Sequence, residues 1–228
     1  MQLITAEERD RLLAGCQREA VHLELRDSYA MANEAERLAA FLATGRRDDD
    51  PNAPDRRYWL DLIRSVTQSG RRVRRARIVS EPVTEYIRYE WAGTQGNIDA
   101  GEEVRWLPRR LASAIALPGN DFWLVDDSTV VFSVFTGRGE IAERQLVTDA
   151  SVLELCRSGF EAVWLRPYLT TSTRRIDQPV PARSPSARFT PAGDPARGPA
   201  DGPGAGRGLR LALHQGQQAG ERQAEPER

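Results

Sequence analysis

Four short polar clusters carry the side chains best suited to chemistry: Arg26-Asp27-Ser28-Tyr29, Ser80-Glu81, Pro108-Arg109-Arg110 and Asp126-Asp127. Each follows a segment that reads as a strand. In open α/β sheets, ligands collect outside the carboxyl ends of parallel strands. Arginine forks facing carboxylates and a phenol would hold an anionic or polar ligand through charge-assisted bonds. The same residues would equally form a salt-bridge network that closes the sheet edge, and the two aspartates suit a turn by themselves. The candidate contact residues are Arg26, Asp27, Tyr29, Glu81, Arg109, Arg110 and Asp126. Arg88 joins them because it sits among Tyr86, Tyr89 and Trp91 on a helix expected to flank that rim.

Catalytic patterns are missing from the central stretch 56–164, which holds no His and one Cys. It has no P-loop, no GxSxG and no HExxH, so no catalytic residue is assigned. Asp126 and Asp127 with Glu81 would make a poor acid–base or metal set, because neighbours on a strand point to opposite faces. His22 stands alone in an N-terminal strand, with no Ser or Cys partner nearby, and reads as structural. Cys16 and Cys156 fall in amphipathic helical segments and read as buried free thiols in a reducing cytoplasm. Two Cys and two His at this spacing do not make a zinc site, and no cofactor is implied. The dense basic run RRVRRAR (71–77) splits on a strand, Arg72 and Arg74 facing one way, Arg75 and Arg77 the other. A phosphate footprint needs its cations on one face, so the run reads as a solvated strand start paired with carboxylates, and direct nucleic-acid binding is not expected. The five Trp read as core by default: Trp59, Trp91 and Trp164 fall on apolar helical faces, and Trp106 and Trp123 lie in strands, where either would also suit a pocket wall.

The elements that must position these residues follow from hydrophobic period. Thr5-x-x-Glu8 is a capping box opening a first helix, with Leu12, Leu13 and Cys16 on one face. Residues 20–26 alternate Val21, Leu23 and Leu25 against His22, Glu24 and Arg26, the period of a strand. A helix spans 31–43. Another starts at Pro54, which suits a first turn, and carries Trp59, Leu62, Ile63 and Val66 on one side. A strand at 72–80 leads through Ser80 and Pro82 into a helix with Val83, Ile87 and Trp91 stacked. A short strand at 103–107 completes a βαβ unit with parallel strands. Strands at 121–126 and 129–135 make a hairpin, extended by a third near 140–147. Ser151-x-x-Glu154 opens the last helix, with Val152, Leu155, Cys156, Phe160 and Val163 inward. This predicts an α/β (or α+β) domain over residues 1–172, one mixed sheet of about five strands with flanking helices.

Composition changes after residue 173. Eight of the fourteen Pro lie in 174–228, with Phe189 the only aromatic there. Such a stretch buries too little apolar surface to offset its ordering entropy, so 173–228 is expected to be a disordered tail. All 32 basic residues of the 228 are Arg, and the net charge is −1, which gives no global pull toward nucleic acid or anionic lipid. No apolar run is long enough for a membrane span, and the N-terminus lacks the basic start and apolar stretch of a secretory signal. A cytoplasmic protein is expected.

Six segments together carry a family resemblance: LELRDSYA (23–30), WLDLIRSV (59–66), VRRARIVSEPVTEYIRYEW (73–91), VRWLPRR (104–110), DFWLVDD (121–127) and FEAVW (160–164). They resemble an uncharacterised family of high-GC Gram-positive bacteria, a domain of unknown function often encoded beside Xre-type helix-turn-helix regulators. The resemblance implies a non-enzymatic cytoplasmic regulatory or interaction module, its partner a helix-turn-helix transcription regulator. It supplies no catalytic residues. The order of elements also looks like a phospholipase-D-like half domain. Active members of that superfamily carry an HxK…D signature, whereas here no His follows His22 until His214 and Lys is absent. A small-ligand sensor on a catalytically inactive fold of that kind is the alternative, and a phosphodiesterase-like enzyme is disfavoured.

Overall fold

A computed structural model describes residues 1–48, 50 and 53–166. Thr5 and Glu8 form the expected capping box, each side chain accepting from the other's backbone amide. It opens α1 (Ala6–Ala14), which follows the two-residue strand β1 (Gln2–Leu3). Next come β2 (Glu19–Glu24), a 3-10 turn at Ala32–Glu34, α2 (Ala35–Thr44) and α3 (Pro54–Thr67). The middle of the chain is β3 (Arg72–Val79), α4 (Glu85–Ala92), α5 (Thr94–Asp99) and β4 (Glu103–Pro108). A meander of β5 (Asp121–Val125), β6 (Thr129–Phe135) and β7 (Ile141–Val147) precedes α6 (Ala150–Trp164).

Three local expectations are corrected. Thr84 caps α4, because its hydroxyl accepts from the Ile87 amide while the Ser80 hydroxyl is already given to Asp27. Asp149 caps α6, accepting from the amides of Ser151 and Val152, so Ser151 lies inside the first turn. Leu155 is not inward but 38% exposed, since Cys156, Phe160 and Val163 define the buried stripe and Leu155 leads it by one position.

The fold is mixed α/β, as expected, but the sheet has seven strands in the order β1-β7-β6-β5-β2-β3-β4. Six of these are the strands named one by one from the sequence, and the seventh, β1, with two residues, is too short for a period of two to mark it. β2, β3 and β4 run parallel, and the other pairs are antiparallel. One face carries Val21, Leu23, Ala76, Ile78, Leu107, Phe122 and Leu124, covered by Cys156, Phe160, Val163 and Trp164 of α6.

The opposite face is apolar only at its two ends. At one end Ala20, Val73, Trp123 and Val131 pack on Leu13 of α1 and on Leu60, Ile63 and Val66 of α3. At the other, Val79 and Trp106 pack on Tyr86, Ile87 and Tyr89 of α4. Along β3 this face therefore reads Val73, Arg75, Arg77, Val79: two apolar ends with two arginines between them. The tail expected from residue 173 lies outside the described residues. Among those described, no helix is long and apolar enough to cross a membrane.

Candidate ligand cavity

The predicted strand-end residues separate into distinct places. Asp27, Ser80 and Arg109 meet at the carboxyl ends of β2, β3 and β4. Asp27 accepts from the Ser80 amide (2.7 Å) and hydroxyl (2.6 Å). Arg109 donates to the Leu25 carbonyl at 2.7 Å, the Ile78 carbonyl at 3.0 Å, Asp27 at 3.1 Å and the Ser80 hydroxyl at 2.9 Å. Two of these acceptors are strand-end carbonyls, so the guanidinium ties the ends of β2 and β3 together. Arg110 and Glu81 form an exposed ion pair beside it, of a kind that contributes little. Arg26 lies over the Phe135 ring, 5.2 Å from its centroid. Arg88 is exposed on α4.

Asp126 does not share this rim. β5 runs antiparallel to β2, so its carboxyl end meets the start of β2. There the Asp126 carboxylate accepts from the amides of Gln17, Arg18 and Glu19 at 2.7, 2.8 and 3.1 Å. Asp126 therefore lies at the opposite end of the sheet from Arg109, and the two share no pocket.

A cavity of about 440 Å³ instead lies over the middle of the sheet. Its floor is His22 and Glu24 of β2, Arg75 and Arg77 of β3, Asp121 and Trp123 of β5, and Ser133 of β6. These share one face because the register pairs His22 with Arg75 and Trp123, and Asp121 with Ser133. Side chains from α1, α3, α4 and the 3-10 turn close over it, among them Asp10, Trp59, Glu34, Tyr86 and Glu90. Of the eight candidates named from sequence, Tyr29 is the one that lines this cavity. Trp123 packs in the core and also borders the cavity, while Trp106 is core.

The solvated arginine run is likewise corrected. Arg74, Arg75 and Arg77 are buried, because helices cover both faces of β3. Carboxylates do pair with them. Arg74 takes Glu19 and Glu161 on the α6 side, 4.9 Å above the Phe160 ring. Arg75 donates to Glu24 and, at 2.7 Å, to Glu102. Arg77 donates to Glu90 at 2.5 Å, and its other terminal nitrogen lies 2.9 Å from Glu24 without hydrogen-bond alignment. Arg47 adds a second contact to Glu90 at 3.2 Å. Burial opposes the charge on Glu90, but Arg77 and Arg47 outweigh it and hold its pKa below the usual carboxylate range.

Two other carboxyls of the cavity are bound to phenols. The Tyr29 hydroxyl donates to Asp121, whose other oxygen accepts from the Leu25 amide at 2.9 Å. The Tyr86 hydroxyl donates to Glu34 at 2.8 Å. Burial raises both carboxyls. Asp121 is pushed up to about 6, with Glu24 adding to the shift, and Glu34 rises further through the nearby Glu90 charge. His22 stacks on Trp123 at 4.2 Å. Burial, then the Arg75 and Arg77 charges, hold its pKa well below the ordinary range, so the imidazole is neutral.

Asp121 has a measurable signature. A carboxyl raised from 3.8 to about 6 on folding stabilises the fold relative to its ionised state only below the unfolded value. That stability is lost as pH rises through about 6. Asp121→Asn has no such loss. Its stability relative to the native chain should therefore improve by about 2 kcal/mol between pH 4.5 and 7.5, from 1.36 kcal/mol per unit. Urea unfolding at both pH values measures this, and a pH-independent difference would contradict the assignment.

Sequence reasoning missed Glu24, Arg75, Arg77, Glu102 and Asp121. One signal was present: strands of a parallel βαβ unit are buried on both faces, so charges inside one must be paired in the interior.

No curated protein matches this chain. Among solved structures, NucT from Helicobacter pylori is similar over 72% of this chain and 94% of its own, with 12% identity and a TM-score of 0.39. So distant a likeness says nothing about chemistry here. The family described as Domain of unknown function (DUF6879) matches residues 7–167, and the chain belongs to that family.

Proposed function

We propose that this protein is a small-ligand-binding regulatory module, with the cavity over the sheet as its ligand site. The observation that supports this most is the charged floor between two apolar flanks on one sheet face. Burying ion pairs is seldom more stabilising than packing apolar residues of similar size. A face serving stability alone would continue the Val73 and Val79 pattern, whereas here it holds Arg75 and Arg77 beneath a void of about 440 Å³. A concave site with aromatic walls and a few convergent polar groups is the usual form of a small-molecule pocket.

The output of the module is contact with another protein. On the family resemblance, that partner is a helix-turn-helix regulator in the cytoplasm. Hydrolysis of phosphodiesters is disfavoured, since the chain has no Lys and no His between His22 and His214.

A thermal-shift screen of polar metabolites tests the site. A true ligand at 100 times its Kd should stabilise the fold by about 2.7 kcal/mol, and a broad panel that moves nothing would sink the reading. Co-purification from the native host tests the partner. Turnover of a model phosphodiester that His22→Ala abolishes would revive the enzymatic alternative.

A further inference from the structure

The polar groups of the cavity differ in what they have left to offer. Its innermost arginines are already ion-paired, although one terminal nitrogen of Arg77 has no aligned hydrogen bond. Arg75 is held between Glu24 and Glu102, and Arg77 between Glu24 and Glu90. An anion entering here would compete with carboxylates fixed on either side of each guanidinium. Asp121 and Glu34 are in the opposite position. Neither lies within ion-pair distance of an arginine among the described residues, and phenols take that place.

Ser133 stands opposite Asp121 in the sheet register and lines the same cavity. The residue is 7% exposed, and its hydroxyl makes no hydrogen bond among the described residues. Its oxygen is not among the fully buried unpartnered atoms, so it stays open to the cavity. Beside a carboxyl it is a ready acceptor for an incoming N–H. The Tyr29 ring lies 5.8 Å from Tyr86 and 5.1 Å from Phe135, so aromatic surface borders the same corner. Ring faces attract cations. Since the Arg26 guanidinium already lies over the Phe135 ring, the face offered to a ligand cation is that of Tyr29, with Phe135 supplying apolar contact.

We propose that the cavity takes a small organic ammonium ion, its charge against Asp121 and Ser133 and its body along Tyr29 and Phe135. This rests on the reading of the cavity as a ligand site. The ammonium supplies a cation in contact with Asp121, where Arg26 acts only from beyond ion-pair distance, and an N–H for the Ser133 hydroxyl. The charged and titratable groups around Asp121 are Glu24 of β2, Arg26 just beyond it and Tyr29 of the following loop, with neutral Ser133 from β6. Binding then requires Asp121 ionised, so affinity falls as pH drops from 7.5 to 5.

Matched probe sets test the class: primary amines with aryl or branched-alkyl bodies, each beside its alcohol and its carboxylate. Binding to the full chain is measured by calorimetry and thermal shift at pH 7.5. The amines are expected to bind at least tenfold more tightly than either counterpart and to weaken at least fivefold at pH 5. Asp121→Asn should remove the preference for the amine. Ser133→Ala removes no hydrogen bond among the described residues, so it should keep the native melting temperature while weakening the amines several-fold. That variant carries the test if Asp121→Asn folds poorly. Alcohols or carboxylates binding as well as the amines would overturn the ligand class and leave the cavity reading intact. No binding by any probe, with no hit in the metabolite screen, would overturn both.

Discussion

Glu24→Gln is expected to lower stability by about 3–5 kcal/mol, the largest single effect in the polar interior. Glu24 is 5% exposed and faces two arginines, donated to by Arg75 and 2.9 Å from Arg77. The substitution keeps the shape and removes the charge that both guanidiniums need. Glu102 and Glu90 remain, so each arginine keeps one partner and the chain should still fold at low denaturant. Removing a cation together with the anion should restore part of the loss. Glu24→Gln with Arg77→Met is therefore expected to be less destabilised than the sum of the two single variants, a coupling a double-mutant cycle isolates. Urea unfolding of the four proteins provides the numbers. A loss below 1 kcal/mol for Glu24→Gln would mean that solvent screens the network and the interior is not dry.

Asp126→Asn should cost about 2–3 kcal/mol at pH 7, for a different reason. The carboxylate accepts three backbone amides and so clasps the β5–β6 hairpin to the connection between α1 and β2. Hydrogen bonds to a charged group contribute about 1.5–3 kcal/mol net, and unmade partners add to the loss. Asn isolates this effect, because Asp126 has φ 52° and Asn is the other residue that tolerates left-handed backbone. The three amides hold the Asp126 pKa below its ordinary value, although partial burial works against them. A depressed folded pKa contributes stability that is present above the unfolded value of 3.8 and is lost as pH falls through the folded one. The gap between the native chain and Asp126→Asn should therefore narrow on acidification from pH 7 to 3, while the Asp121 effect runs in the opposite direction. Denaturant midpoints at the two pH values distinguish them, and a gap that widened in acid would contradict this account.

Most of the elements were legible. The capping box at Thr5 and Glu8, the helix begun by Pro54 and the hairpin of 121–135 all emerge from spacing within a few residues. The Arg run shows where such reading stops. Its alternation was read correctly, Arg74 on one face and Arg75 and Arg77 on the other. Its surroundings were not, since helices far along the chain cover both faces. Asp126 shows a second limit. It follows a strand as Arg26 and Arg109 do, but β5 is antiparallel to the strands they follow, and strand direction is not written in alternation.

The sequence by itself determined the local conformations and the absence of familiar catalytic signatures, because capping, turn preference and hydrophobic period act over a few residues. Only the tertiary structure decided which polar groups meet. Tyr29 reaches Asp121 across 92 positions, and Arg75 reaches Glu24 across 51. Sheet register and helix cover bring those charges together in one low-dielectric space, where pairing and protonation acquire their meaning.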